Sequence, residues 1–190
     1  MNRLALVALS LLFAFPLSAV LYAQELDAEA LKRAEAEPLV SMPEPPLGYV
    51  VTKHPIVADG KVLGFQVQVV KEGTVSKVLI KVETRDLSQR GPRLASCKAY
   101  VNGFAAGLKD AGFQIASFKA PDVEKSTFKK PIVVDLTCTN DQGTTLLVRK
   151  RIFFTTKGYD VTVVATDEDE FKSLTQWAAQ IEPARSRKRR

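Results

Sequence analysis

Apolar positions follow two different periods along this chain. In KVLGFQVQVV, residues 61–70, Phe65, Val67 and Val69 alternate with Gln66 and Gln68. In SKVLIKVETRD, residues 76–86, Val78, Ile80 and Val82 oppose Lys77, Lys81 and Glu83. A period of two is the signature of a strand with one buried face. Glu72 and Gly73 lie between the runs as a turn, so the pair reads as a hairpin. GYVVTKHPIV before it reads as an irregular edge strand, because Pro55 cannot donate to a ladder.

The period then changes. Leu94, Cys97, Val101, Phe104 and Leu108 are spaced 3, 4, 3, 4, which places them on one helical face. Pro92 suits a first turn, and Gly112 suits a left-handed stop. Gly103 and Gly107 cost helix propensity; at that spacing they predict close approach of the helix to a sheet.

Strand periods return after Gly112. FQIASFKA is a strand, and PDVEKSTFKKP is a polar connection. In PIVVDLTCT, residues Ile132, Val134, Leu136 and Cys138 share a face. NDQG is a turn. TTLLVRKRIFFTT sets Leu146, Val148, Ile152 and Phe154 on one face, with Lys150 interrupting it. Lys157 and Gly158 predict a tight hairpin into YDVTVVAT. DEDEFKSLTQWAAQIEP closes the pattern as a helix. Thr166 or Asp167 caps it, acids fill its first turn, and Phe171, Leu174, Ala178 and Ile181 form its buried stripe beside Trp177.

Strands joined by short turns must pair antiparallel. The order predicts an α+β fold: a central antiparallel sheet with helices packed on one or both faces.

Composition changes this picture only at the termini. The chain has 190 residues, 46% apolar and 25% charged, with a formal charge of +6. Residues 1–23 carry Arg3, an apolar run from Leu4 to Phe15, Pro16, and small residues to Ala23. This is the architecture of a secretory signal, and it predicts a secreted, periplasmic protein. The alternative is an uncleaved N-terminal membrane anchor, since the apolar stretch carried to Ala23 reaches the ~20 residues a spanning helix needs. Residues 24–47 read as a flexible, acidic, Pro-rich linker, with Glu25, Asp27, Glu29, Glu35, Glu37 and Glu44 against Lys32 and Arg33. Residues 48–183 form a single domain. Residues 184–190 form a basic disordered tail with Arg185, Arg187, Lys188, Arg189 and Arg190.

The tail can meet an anionic polymer or lipid surface. Arg149, Lys150 and Arg151 are a second candidate basic surface, joined by Lys129 and Lys130, with a solvated sheet face as the plainer reading. Export makes nucleic acid the wrong partner.

Cys97 and Cys138 both lie on faces expected to be buried. In an oxidising compartment they are expected to pair, and the loop closed would stabilise by roughly 4 kcal/mol. Two buried free thiols are the alternative. A cysteine nucleophile would need an exposed thiolate of low pKa and a base, and the one histidine, His54, adjoins Pro55 on an edge strand. No zinc, calcium, P-loop, dinucleotide or GxSxG pattern occurs. No catalytic residue, metal or cofactor is therefore expected.

The final elements, LLVRKRIFFTTKGYDVTVVAT followed by DEDEFKSLTQWAAQI, resemble the end of the PsbP-like family. That fold is shared by the Ran-binding nuclear protein of yeast and by many secreted bacterial proteins. Tyr159 is similar to the tyrosine that starts the family's last strand. The order of elements matches over about residues 47–183. The family's Gly-aromatic opening is not matched, and EPA replaces its usual Ser-Phe after the last helix. The resemblance implies an α/β/α sandwich that works as a binding or assembly factor rather than an enzyme. The functional expectation is a non-enzymatic module acting on an envelope protein or component. The alternatives are a carrier of a small apolar ligand in a cleft between sheet and helix, and then an enzyme.

Overall fold

The computed structural model describes residues 39–58 and 61–184. Seven strands form one antiparallel sheet: β2 (Tyr49–Ala58), β3 (Lys61–Lys71), β4 (Lys77–Glu83), β5 (Phe113–Lys119), β6 (Ile132–Asn140), β7 (Thr145–Phe154) and β8 (Gly158–Ala165). Their order across the sheet is β2-β3-β4-β8-β7-β6-β5. Two helices, α1 (Arg90–Asp110) and α2 (Glu168–Ala178), pack against it. A separate two-stranded ribbon joins β1 (Val40–Ser41) to β9 (Glu182–Pro183). This is the expected α+β fold.

The sheet joins two hairpin systems through one pairing. β2, β3 and β4 form one meander, and β5, β6, β7 and β8 another. β8 closes the sheet by pairing with β4, Ile80 opposite Val161. Every residue of β8 is buried. Strand alternation sends its odd residues one way and its even residues the other. Tyr159, Val161 and Val163 meet Leu174, Trp177 and Ile181 on the α2 side, with Phe65, Val67, Val78, Ile80 and Val82. Val164 meets Leu108, Leu136, Leu146 and Val148 on the α1 side. The helices therefore cover opposite faces.

The predicted caps hold. Asp167 is the N-cap of α2, and its carboxylate accepts from the Glu170 N–H at 2.9 Å. Gly112 follows α1 at φ +81°, a conformation that glycine adopts without strain. Gly103 differs from expectation. It faces open space, so its lack of a side chain does not bring α1 closer to the sheet.

Residues 39–47, expected within the linker, belong to the folded unit. Leu39 is buried in the α2-side core. Val40 pairs with Pro183, and the Trp177 indole N–H donates to the Glu44 carbonyl at 2.8 Å. Short apolar residues between prolines gave no periodic signal of this. Residues 1–23, the rest of the linker and residues 185–190 lie outside the described residues.

Gly64 marks the tightest backbone approach in the sheet. A Cβ there would collide with the Val82 carbonyl oxygen. Gly64→Ala should cost about 1–3 kcal/mol, read as a lowered urea midpoint with unchanged slope. Gly103→Ala, with open space around it, should instead stabilise by up to about 1 kcal/mol.

Candidate functional site

Among the described residues, one polar cluster lies beneath α1 and another lies beside α2. The first is sealed. Lys150 in β7 lies directly opposite Thr162 in β8. Its ammonium donates to Asp160 Oδ2 at 2.8 Å and to Thr162 Oγ1 at 2.9 Å. The Thr162 hydroxyl donates in turn to Asp160 Oδ1 at 3.0 Å. The Phe104 ring of α1 closes over the ammonium, with its centroid 4.3 Å away. Lys150, Asp160 and Thr162 are only 3%, 2% and 3% exposed. Burial pushes Lys150 below the usual lysine range, and Asp160 opposes that shift.

A second layer continues this polar seam toward solvent. The Tyr100 hydroxyl of α1 donates to Glu83 Oε2 at 2.8 Å. Arg85 pairs with Glu83 Oε1 at 2.8 Å and donates to the buried Ser96 hydroxyl at 2.8 Å. Burial first, and then the Glu83 charge, hold the Tyr100 phenol above its ordinary range. The seam fixes the rotation of α1 on the sheet through oriented polar contacts, and it presents no nucleophile to solvent.

Cys97 and Cys138 are free and buried, which corrects the expected disulfide. Cys97 packs with Val101, Ile132, Val134 and Ile152, whereas Cys138 packs with Leu108, Leu136, Leu146 and Val148. Leu108 lies about 16 Å along α1 from Cys97 at 1.5 Å per residue. Val134 lies about 13 Å along β6 from Cys138. A bridge needs Cα atoms within about 7 Å. The two sulfurs face the same layer, as their periods require, but sit at opposite ends of it. Desolvation pushes both thiols up to about 11; at Cys97 the Asp160 charge adds to this and Lys150 opposes it.

The run Arg149-Lys150-Arg151 does not form one basic surface, a second correction. Successive strand residues point to opposite faces, so Lys150 goes under α1 while the arginines go to the α2 side. Arg149 grips Asp135 with two bonds, Nε to Oδ1 at 2.6 Å and Nη2 to Oδ2 at 3.0 Å. Arg151 donates to the Ile181 carbonyl at 2.8 Å and lies over Phe153 at 4.7 Å. Lys129 and Lys130 are exposed before β6. Arg185, Arg187, Lys188, Arg189 and Arg190 lie outside the described residues.

The second polar place is open. α2 covers β4, β8 and β7 but stops short of β5 and β6. A shallow groove remains on that flank, lined by Ser117, Lys119, Asp135, Thr137, Leu147, Arg149 and Phe171 among others. The Arg149–Asp135 pair forms its floor and the Phe171 ring its wall, 6.0 Å from the Arg149 guanidinium. Such a trough can receive side chains of a partner, with hydrogen-bonding groups and one aromatic edge.

Sequence reasoning found Arg149 but not its partner Asp135, nor the groove. It noticed Lys150 breaking an apolar face without naming Asp160 and Thr162. The usable signal was present: a polar position at the same parity in the next strand of a hairpin.

Among the described residues, no group of three His, Cys, Asp or Glu side chains is placed to hold a metal. Among the same residues, no helix is long and apolar enough to cross a membrane. No family model matches the chain, and comparison with curated proteins finds no relative.

Two outcomes are expected. At pH 8 both thiols of the native protein should resist iodoacetamide, and both should alkylate on denaturation without any reductant, read by intact mass. Because the folded thiols titrate above the unfolded ones, their contribution to stability is complete below about pH 9 and lost toward pH 11. The urea midpoint should carry that loss. For the buried pair, Asp160→Ala should destabilise by about 3–5 kcal/mol, since it strands a buried ammonium. Lys150→Met combined with Asp160→Leu should recover most of that loss, and a double-mutant cycle measures the coupling.

Proposed function

We propose that this chain is a non-enzymatic binding or assembly module of the cell envelope, exported to the periplasm, that docks a protein partner on the α2 side of its sheet. The observation that carries this reading is the groove beside α2. It is built on rigid strands, open to solvent, and lined by oriented polar groups plus the Phe171 ring. The polar groups with catalytic potential, Lys150 and Asp160, are enclosed under α1, where a substrate has no approach.

The resemblance to the PsbP-like family points the same way, because it implies a binding or assembly factor. The alternative of a small apolar ligand fits the groove less well, since Lys119, Asp135 and Arg149 dominate its lining. Export rests on the N-terminal pattern Arg3, Leu4–Phe15, Ala23.

Site-specific photocrosslinking in the native host tests the module. A crosslinker at Thr137, in the groove, should yield one dominant adduct in the envelope fraction. A crosslinker at Ala99, exposed on α1, should not. Phe171→Ala should reduce the Thr137 adduct at least several-fold without changing the thermal midpoint by more than a few degrees. Equal adducts at Thr137 and Ala99, or none at either, would overturn the reading.

A further inference from the structure

Both ends of the described chain leave the fold at the same place. Val40 pairs with Pro183, and the Ala184 N–H donates to the Leu39 carbonyl at 3.3 Å. Upstream of Leu39 the sequence carries the acidic segment 24–38 and before it the apolar stretch 4–23, and downstream of Ala184 it reads RSRKRR. The Arg151 bond to the Ile181 carbonyl ties this exit to β7, and Arg151 lies opposite Val133 in β6. The exit thus belongs to the end of the sheet where β5 finishes and β6 and β3 begin.

That end combines exposed cations with exposed apolar side chains. Lys119 ends β5, and Lys129 and Lys130 precede β6; all three are exposed. Leu63, Phe118 and Val133, near the same ends of β3, β5 and β6, are between 42% and 49% exposed. Three acids near this end are paired, Glu83 with Arg85 at 2.8 Å, Asp122 with Lys125 at 3.2 Å, and Glu124 with Lys98, while Glu182 in the exit ribbon is exposed. The turn presenting Lys129 and Lys130 is held in an unusual conformation. Phe128 has φ +56°, strained for a bulky residue. Its ring is buried edge-on to Phe154 at 5.3 Å, and its N–H donates to the Ser126 hydroxyl at 3.1 Å. Burying that ring turns the chain so that the two lysines follow it at the surface.

We infer that this end of the sheet is a membrane-facing surface that docks on anionic phospholipid, with Lys129 and Lys130 at the headgroups and Phe118 and Val133 at the interface. Cations beside scattered apolar side chains are the composition that binds an anionic bilayer surface. A soluble polyanion would use the lysines but gain nothing from Phe118 and Val133. The placement rests on the envelope-module reading and extends it: docking by this end leaves the groove beside α2 free for a protein partner.

The test is partition of the full-length chain onto vesicles of phosphatidylcholine alone or with phosphatidylglycerol, at low and high salt. The readout is the difference between the two compositions. Binding should favour the anionic vesicles and fall with salt. Lys129→Glu with Lys130→Glu should lower anionic partition at least tenfold, each lysine at such a surface being worth about fivefold. Lys71→Glu with Lys109→Glu, the same charge change at the opposite end, should stay within twofold of wild type. Thermal unfolding verifies that both variants fold. Equal losses in the two variants would overturn the inference, as would no preference for anionic vesicles. So would a loss seen only on removing residues 185–190, or soluble polyphosphate binding as tightly as the vesicles. A Thr137 adduct that persists while vesicle partition fails would overturn the membrane surface alone. Partition that succeeds without the adduct would overturn the partner groove alone.

Discussion

The pairing of β8 with β4 is the contact on which the rest of this structure depends. It joins two meanders that are otherwise independent hairpin systems, and it makes β8 a strand buried on both faces. Such a strand must satisfy two layers at once. Its odd residues, Tyr159, Val161 and Val163, receive α2. Of its even residues, Val164 joins the apolar layer under α1, while Asp160 and Thr162 hold the Lys150 ammonium. One strand therefore positions both helices, by apolar contact on one side and by mixed apolar and polar contact on the other.

The Lys150–Asp160 pair shows what a buried charge does here. Two ions withdrawn from water carry a large desolvation cost, and their attraction offsets it only when geometry is good. In this case both charges also bond Thr162, and Phe104 caps the ammonium. The gain is orientation. An apolar layer alone tolerates sliding of a helix along its axis, whereas Phe104 over Lys150 and Tyr100 on Glu83 define one seat for α1. The same seam keeps Cys97 next to a carboxylate in a dry layer, which suppresses its thiolate.

Open surface follows from coverage. Two helices of this length cannot roof seven strands on both faces. The strap from Leu39 to Glu44 packs beside α2, and the β5–β6 flank remains bare. Lys119, Asp135 and Arg149 sit on that flank because strand alternation sends them to the α2 face, beyond the part that the helix covers. The groove and the exposed Lys129–Lys130 turn thus come from the same shortage of covering elements.

The amino-acid order alone determined the elements and the faces each would bury. Periods of two and 3.6 are local, and they specified Phe65, Val67 and Val69, the Leu94–Leu108 stripe and the α2 stripe without tertiary knowledge. Capping was equally local, as Asp167 and Gly112 show. The buried position of Lys150 was readable from its parity in β7, though grouping it with Arg149 and Arg151 ignored that same parity. Tertiary structure decided what parity cannot encode: distance along an element. Cys97 and Cys138 share a layer by period, yet stand too far apart to bond because α1 runs along the sheet and not across it. It also decided which partners meet, Asp135 with Arg149 and Asp160 with Lys150, because strand register sets those pairs. Finally it placed Val40 beside Pro183. That contact spans nearly the whole described chain, and no local pattern carries information about so distant a neighbour.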